Sequence, residues 1–258
     1  MKIAFYDSGV GGLTIFNKVV KSIKADYIYF ADNLNNPYGI KTKNEIKNIT
    51  KNNVRKIIEM GVDIIVIACN TATSVAIEEL RGIYKDKYII GTEPAVKVAA
   101  DKNIENKKIL VCATSLTTKE EKLKKLIDKL DINEKVNFLP LDELVAFAEN
   151  LDFESSFVYN YLNEKFKNID FKKYSHLVLG CTHFPLFNKI LKSIISEDIE
   201  IIDSSEGVVN NIKNTILKIN KEENRESNIT LILTKKDNKF IDKFINITGI
   251  RDITLKII

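Results

Sequence analysis

Apolar runs just long enough for a buried strand alternate with amphipathic stretches along almost the whole chain. Residues 3–6, 27–30, 62–68 and 88–90 are such runs, and 13–23, 45–60 and 73–84 between them carry helical spacing. In the first helical stretch the apolar positions are Leu13, Phe16, Val19, Val20 and Ile23; in the second they are Ile46, Ile49, Val54, Ile57 and Ile58. A run that is apolar on both faces suits a parallel strand covered by helices. The rhythm restarts near residue 108, with strands at 108–112, 136–139, 177–179 and 199–202. Helices are expected there at 118–130, 143–151, 154–166, 186–195 and 207–219. A tail adds strand 229–233, helix 238–247 and strand 254–257. This order predicts an α/β fold with mostly parallel sheets flanked by helices. Linkers are expected around 101–106 and around 221–227, the latter reading KEENRES without one apolar residue.

Composition removes several classes. A hydrophobic fraction of 45% supports a real core and excludes disorder for most of the chain. Ten glycines and three cysteines exclude collagen-like and disulfide-rich scaffolds. The 39 basic and 35 acidic residues leave a net charge of +4, spread out rather than gathered in a basic stripe. No nucleic-acid motif is present, so no nucleic-acid partner is expected. Lys107-Lys108 and Lys235-Lys236 read as solvated faces. The apolar stretch after Lys2 ends at Asp7, shorter than the roughly 7–15 residues of a secretory leader. No run approaches the ~18 apolar residues of a membrane span. The expectation is a cytoplasmic protein with no membrane partner, in which Cys69, Cys112 and Cys181 are free thiols.

Special backbone chemistry is concentrated at a few strand ends. Gly9, Gly11 and Gly12 sit together, while Pro37, Pro94 and Pro185 each lie near Gly39, Gly91 and Gly180. The segment DSGVGG, residues 7–12, leaves a strand and opens a helix, which suits a ligand carboxylate or phosphate. Its G-x-G-G spacing is not the dinucleotide fingerprint, and a plain capped turn is the competing reading. DIIVIACNT at 63–71 resembles SHLVLGCTH at 175–183: an apolar strand, a small residue, then cysteine and two polar residues. Asp7-Ser8 and Thr114-Ser115 end the first strand of each half in the same way. In open α/β sheets that end is where ligands bind.

Cys69 closes a strand and begins a helix, whose N-terminus stabilises a thiolate; Cys181 repeats the arrangement, with His183 two residues on. One cysteine alone reads as a small buried hydrophobe, and Cys112 keeps that reading. Two cysteines in matching polar turns suggest a base on one face of a stereocentre and an acid on the other, a pair that titrates as a unit. Cys69, Cys181 and His183 lack C-x-x-C or H-x₃₋₅-H spacing, so no metal is expected. No pyridoxal lysine signature is found and no cofactor is expected.

Taken in order, DSGVGG, NPYG, ACNTAT, GTEPAVK and GCTHFP resemble the glutamate racemase family, within the wider aspartate/glutamate racemase group. The tail segment ILTKKDNKFIDKF is similar to that family's end, so the resemblance covers essentially the whole chain. It implies cofactor-independent interconversion of L- and D-glutamate, supplying D-glutamate for peptidoglycan synthesis and hence cell shape. It makes Cys69 and Cys181 the acid/base pair, Cys69 acting on D-glutamate and Cys181 on L-glutamate. Asp7 would assist Cys69, and His183 would assist Cys181 with Glu149 at the site edge. Asp7-Ser8, Tyr38-Gly39, Asn70-Thr71 and Thr182-His183 would hold the substrate's ammonium and carboxylates, with Thr114 and Thr117 in the second half. A homodimer is the family default.

The expected division is 1–95 plus 207–258 for the first domain and 96–206 for the second, with the active site in the cleft between them. Aspartate racemase is the rival within the group, one methylene away, which a pocket discriminates by only ~1–3 kcal/mol. Two readings from other classes are a single-cysteine hydrolase or decarboxylase and a non-catalytic binder of an acidic metabolite.

Overall fold

The apolar runs become strands. The computed structural model describes residues 1–220 and 227–258. The strands there are β1 (Lys2–Asp7), β2 (Asp26–Ala31), β3 (Ile64–Ile67), β4 (Tyr88–Gly91), β5 (Lys108–Ala113), β6 (Val136–Pro140), β7 (Tyr174–Leu179), β8 (Glu200–Ile202), β9 (Ile229–Leu233) and β10 (Thr254–Ile257). Every pairing is parallel. Among the described residues they form a six-stranded sheet, β10-β9-β2-β1-β3-β4, and a four-stranded sheet, β6-β5-β7-β8. The chain divides accordingly into two units, Met1–Thr92 with Ser205–Ile258, and Glu93–Ser204.

Helices connect the strands. They are α1 (Leu13–Val20), α2 (Lys43–Glu59), α3 (Asn70–Ile83), α4 (Val96–Lys102), α5 (Ser115–Thr118), α6 (Glu121–Lys129), α7 (Glu143–Glu149), α8 (Ser156–Phe166), α9 (Asn188–Ile194), α10 (Ser205–Ile219) and α11 (Asn238–Thr248). None is long and apolar enough to cross a membrane. Local chemistry sets several ends. Thr42 and Glu45 close a reciprocal capping box at the start of α2. Asp237 caps α11, and Gly249 ends it at φ 75°, a left-handed position that favours glycine.

Helices cover both faces of the large sheet. On one face Phe16 of α1 packs against Phe5, Tyr27 and Tyr29 at ring separations of 5.2, 5.7 and 5.3 Å. Phe244 of α11 closes on Phe16 at 5.8 Å. On the other face Tyr6 and Phe30 pack together, and Asn53 of α2 reaches the Tyr6 hydroxyl. The small sheet repeats the layering. Leu110, Cys112, Leu177 and Leu179 face α7, α8 and α9, whereas Ile109, Val111 and Val178 face α4 and α6.

Three sequence expectations change here. The linker expected at 101–106 lies inside the second unit: α4 runs to Lys102, and the Asn103 side chain closes the next turn by donating to the Lys107 carbonyl at 2.6 Å. Only Val96 and Ala99 of α4 are buried, too few for its periodicity to show. The helix expected at 118–130 is two, because Thr114 caps α5 and Glu120 is extended at φ −68°, ψ 130° before α6. The helix expected at 186–195 begins as a 3-10 turn, Phe184–Phe187, with Pro185 in its first positions, and becomes α-helical at Asn188. The linker expected at 221–227 lies, for 221–226, outside the described residues.

Phe16 touches four rings and is fully buried. Phe16→Ala is expected to lower the unfolding free energy by about 3–5 kcal/mol in urea titrations. A loss below about 1 kcal/mol would show that the aromatic layer is not what holds α1 to the sheet.

Candidate active site

In each sheet one strand is flanked on both sides by strands that follow it in the chain. That strand is β1 between β2 and β3, and β5 between β6 and β7. Connections leave such a strand in opposite directions, which opens a crevice at its C-terminal end where ligands of α/β sheets bind. Most of the polar residues singled out in the sequence stand at these two switch points.

In the first unit the register pairs Tyr6 with Ile67, and the Ala68 N–H donates to the Tyr6 carbonyl at 2.8 Å. Asp7-Ser8 and Cys69 therefore leave adjacent strands at the same level. Asp7 is fully buried, and its Oδ1 accepts the Gly9 N–H at 2.7 Å. Gly12 is required by contact: a Cβ there would lie 2.8 Å from the Ala68 Cβ and 3.0 Å from Asp7 Oδ2. Cys69 is the N-cap of α3, and its Sγ accepts the Ala72 N–H at 3.5 Å. The helix N-terminus favours negative charge on that sulfur. Ser8 Oγ lies 3.8 Å from the same atom. Asn70 and Thr71 follow, both buried. Neither side-chain atom of Asn70 has a hydrogen-bond partner among the described residues. A buried amide without a protein partner is costly, which singles this one out among the polar groups of the first unit.

Tyr38 stands in a 3-10 turn, Tyr38–Ile40, that packs on α3. Its hydroxyl donates to Asp32 Oδ2 at 2.6 Å and also meets the Tyr6 hydroxyl. Asp32 further accepts from Thr234 Oγ1 at 2.8 Å and from Asn35 Nδ2 at 3.0 Å. Burial, with the nearby carboxylate, pushes the Tyr6 hydroxyl well above its ordinary pKa; burial, Tyr6 and Asp32 do the same for Tyr38. The ring oxygen is thus committed inside the protein, whereas Gly39 is exposed and has open space around its Cα. Asp32 and Tyr6 were not singled out from sequence. The available signal was an acidic residue directly ending the apolar strand 27–31.

In the second unit β5 ends at Ala113, and Thr114 caps α5 by accepting the Thr117 N–H at 3.4 Å. The two threonine hydroxyls are 3.0 Å apart and both residues are buried. Ser115 holds the start of α7, its N–H donating to Asp142 Oδ1 at 2.8 Å. On the neighbouring strand Gly180 donates its N–H to the Cys112 carbonyl at 2.7 Å. A Cβ at Gly180 would lie 2.9 Å from the Ala113 Cβ, so only glycine lets the turn lie this close. Cys181, Thr182 and His183 follow, all buried.

Cys181 does not repeat the helix cap of Cys69. His183 precedes the 3-10 turn, and the Cys181 carbonyl accepts the Phe184 N–H at 3.0 Å. Pro185 has no N–H to offer the Cys181 carbonyl four residues back, and the sulfur has an imidazole partner instead of a backbone amide. Cys181 Sγ lies 3.6 Å from His183 Nδ1, and His183 Nε2 lies 2.9 Å from Glu149 Oε1. Burial opposes charge on His183, but the Cys181 sulfur and the Glu149 carboxylate outweigh it and hold its pKa well above 6.5. With Nε2–H donating to Glu149, Nδ1 either accepts the S–H of Cys181 or donates to its thiolate. Cys112 is fully buried in an apolar cluster, and burial pushes its thiol up, so it is inert packing.

Each of the two α/β units thus carries a buried cysteine among polar groups beside its switch point, on the strand next to β1 or β5. A family model, Asp/Glu/Hydantoin racemase, matches residues 11–212. The glutamate racemase of Halothermothrix orenii is 39% identical over 251 residues, covering 96% of this chain and 98% of its own. The glutamate racemase structure from Aquifex pyrophilus is 33% identical and superposes with a TM-score of 0.80, over 100% of this chain and 98% of that one. The Escherichia coli glutamate racemase, solved in complex with L-glutamate and an activator, is 25% identical with a TM-score of 0.84, over 100% and 97%. The chain belongs to the Asp/Glu/Hydantoin racemase family.

The His183 environment generates a pH prediction. A pKa raised on folding adds stability that is fully present below 6.5 and is lost as pH rises through the folded value. Glu149→Gln removes one of the two groups that raise it. The stability gap between wild type and this variant is therefore expected to be widest in mild acid and to narrow above neutrality. Chemical denaturation from about pH 5.5 to about pH 9 measures it, and a gap that widens with pH would contradict the assigned charge.

Proposed function

We propose that the chain interconverts L- and D-glutamate by proton transfer at Cα between two cysteines, Cys69 and Cys181. The observation that carries this reading is that each cysteine has its own proton-handling environment at its own switch point. Cys69 has a helix N-terminus and the Ser8 hydroxyl. Cys181 has the His183–Glu149 relay. Relatives named glutamate racemase at 39% identity across nearly the whole chain support the choice of glutamate.

Starting from D-glutamate, the Cys69 thiolate takes the Cα proton and becomes a thiol. The electron pair left on Cα delocalises into the adjacent carboxylate. The Cys181 thiol then delivers its proton to the opposite face, leaving a thiolate and releasing L-glutamate. The reverse reaction starts at Cys181, with His183 stabilising the thiolate and Glu149 orienting the ring. A thiolate in water is far too weak a base for this proton. The reading therefore requires a closed site whose donors meet charge developing on the substrate carboxylate. Ser8, Asn70, Thr71, Gly39, Thr114, Thr117 and Thr182 are the proposed donors, and the Asn70 amide, which has no side-chain partner among the described residues, is the group we assign first to substrate. Tyr38 contributes by fixing the turn that carries Gly39. Asp7 supports the turn beside Cys69.

Such an enzyme supplies D-glutamate for peptidoglycan from the cytoplasm, with no cofactor, and we take a homodimer as its assembly. Either enantiomer incubated in D₂O is expected to yield the other with deuterium at Cα. Cys69→Ser and Cys181→Ser are each expected to lower the inversion rate by about three orders of magnitude or more, the scale of losing an acid/base group whose partner cannot replace it. Chiral chromatography with mass detection reads both. Unimpaired inversion by either variant, or a covalent adduct on one cysteine, would sink the two-base reading.

A further inference from the structure

Behind Cys69 lies a buried hydroxyl pair that no step above uses. The last carbonyl of β3, at Ile67, stands two residues before Cys69. It accepts the Thr73 hydroxyl at 3.0 Å, the Thr92 hydroxyl at 3.1 Å and the Thr92 N–H at 3.2 Å. Thr73 Oγ1 in turn accepts the Thr92 N–H at 3.2 Å. Both threonines are 1% exposed. Thr73 belongs to the first turn of α3, where its own N–H donates to the Cys69 carbonyl at 2.9 Å. Thr92 follows β4. Three elements thus meet on one carbonyl: the strand that ends at the cysteine turn, the helix that the cysteine caps, and the neighbouring strand.

The contact is built closely. A Cβ at Gly91 would lie 2.6 Å from Thr73 Cγ2 and 3.1 Å from Ile77 Cδ1, so β4 reaches this carbonyl only with glycine there. The arrangement exceeds what the strand ladder needs, since the Thr92 N–H alone continues the β3–β4 pairing. Two hydroxyls added to a carbonyl that already has a partner restrain direction rather than satisfy a lone group. What they restrain is the exit of the chain from β3 into Cys69.

We infer that Thr73 and Thr92 are positioning residues for Cys69, holding the Ile67 carbonyl so that its sulfur leaves the sheet in one orientation. The inference rests on the two-cysteine reading and is tested separately from it. The two enantiomers are equal in energy, so kcat/KM is the same in both directions and cannot tell which cysteine is disturbed. Isotope effects can. With deuterium at Cα of D-glutamate, Cys69 breaks the bond to deuterium; with deuterium at Cα of L-glutamate, Cys181 breaks it and Cys69 only delivers a proton.

A loosened Cys69 makes its own transfer the slower of the two. Thr73→Val and Thr92→Val are expected to lower kcat/KM about tenfold, in line with the cost of misplacing a reacting group by a fraction of an ångström. In both variants the primary isotope effect on kcat/KM should grow with deuterated D-glutamate and shrink with deuterated L-glutamate. Thr73→Ser and Thr92→Ser, which keep the hydroxyls, should behave as wild type. Gly91→Ala displaces Thr73 without removing a hydroxyl and should reproduce the asymmetry, so the test survives if a valine variant does not fold. Valine variants with unchanged isotope effects, or with equal changes for both enantiomers, would overturn the positioning role. Normal inversion by Cys69→Ser would instead overturn the two-cysteine reading.

Discussion

The parallel register of β1 against β3 fixes which polar groups stand together in the first unit. With Tyr6 opposite Ile67, Asp7 at the end of β1 and Ala68 just after β3 lie side by side. The next residue on each strand is then a hydroxyl on one side and a thiol on the other. Gly12 has no side chain because Asp7 and Ala68 already occupy its space. The Cys69 sulfur has a backbone N–H because the helix begins one residue later. A shift of register by one residue would exchange the two faces of β3 and remove the cysteine from this place. The second sheet repeats the constraint between β5 and β7, where Gly180 fits against Ala113 and Cys181 follows.

The two cysteines share this place in the topology but not their electrostatics. Cys69 relies on fixed dipoles: a helix end, a hydroxyl, and beneath it the Thr73–Thr92 pair. Cys181 relies on a titratable partner, His183, held by Glu149. In the mechanism proposed above, the two faces of the substrate carbon would therefore meet thiols in different surroundings. Unequal environments around thiols of similar intrinsic acidity are a physical means of letting one act as base while the other stays protonated. Interconversion of two enantiomers is balanced in energy, but in the proposed mechanism its two half-reactions would be stabilised in different ways.

Much of this was legible in the sequence, for physical reasons that also explain the rest. Runs such as 62–68 are apolar on both faces, and parallel strands are among the few structures that bury both. Two cysteines in matched strand-end patterns pointed to the turns at 69–71 and 181–183, where the structure shows polar clusters. Glu149 was reached through the resemblance, and its bond to His183 spans 34 residues that no local pattern joins. Asp32 was missed because its burial, and the meeting there of Asn35 and Tyr38 with Thr234 from 202 residues away, exist only in the folded protein. The Thr73–Thr92 pair was missed for the same reason, since buried threonines in a helix and after a strand look alike whether they pack or position. The difference between Cys69 and Cys181 showed only in the fold, where a 3-10 turn with Pro185 in its first positions follows Cys181 in place of the α-helix start that follows Cys69.

In the proposed mechanism each sulfur serves one face of the substrate carbon. It is tested most directly by following deuterium wash-in with Cys181→Ser in D₂O, using each enantiomer separately. With Cys69 alone able to remove and return a proton, D-glutamate should gain deuterium at Cα and keep its configuration, while L-glutamate should remain unlabelled. Equal labelling of both enantiomers, or labelling of L-glutamate alone, would contradict the account.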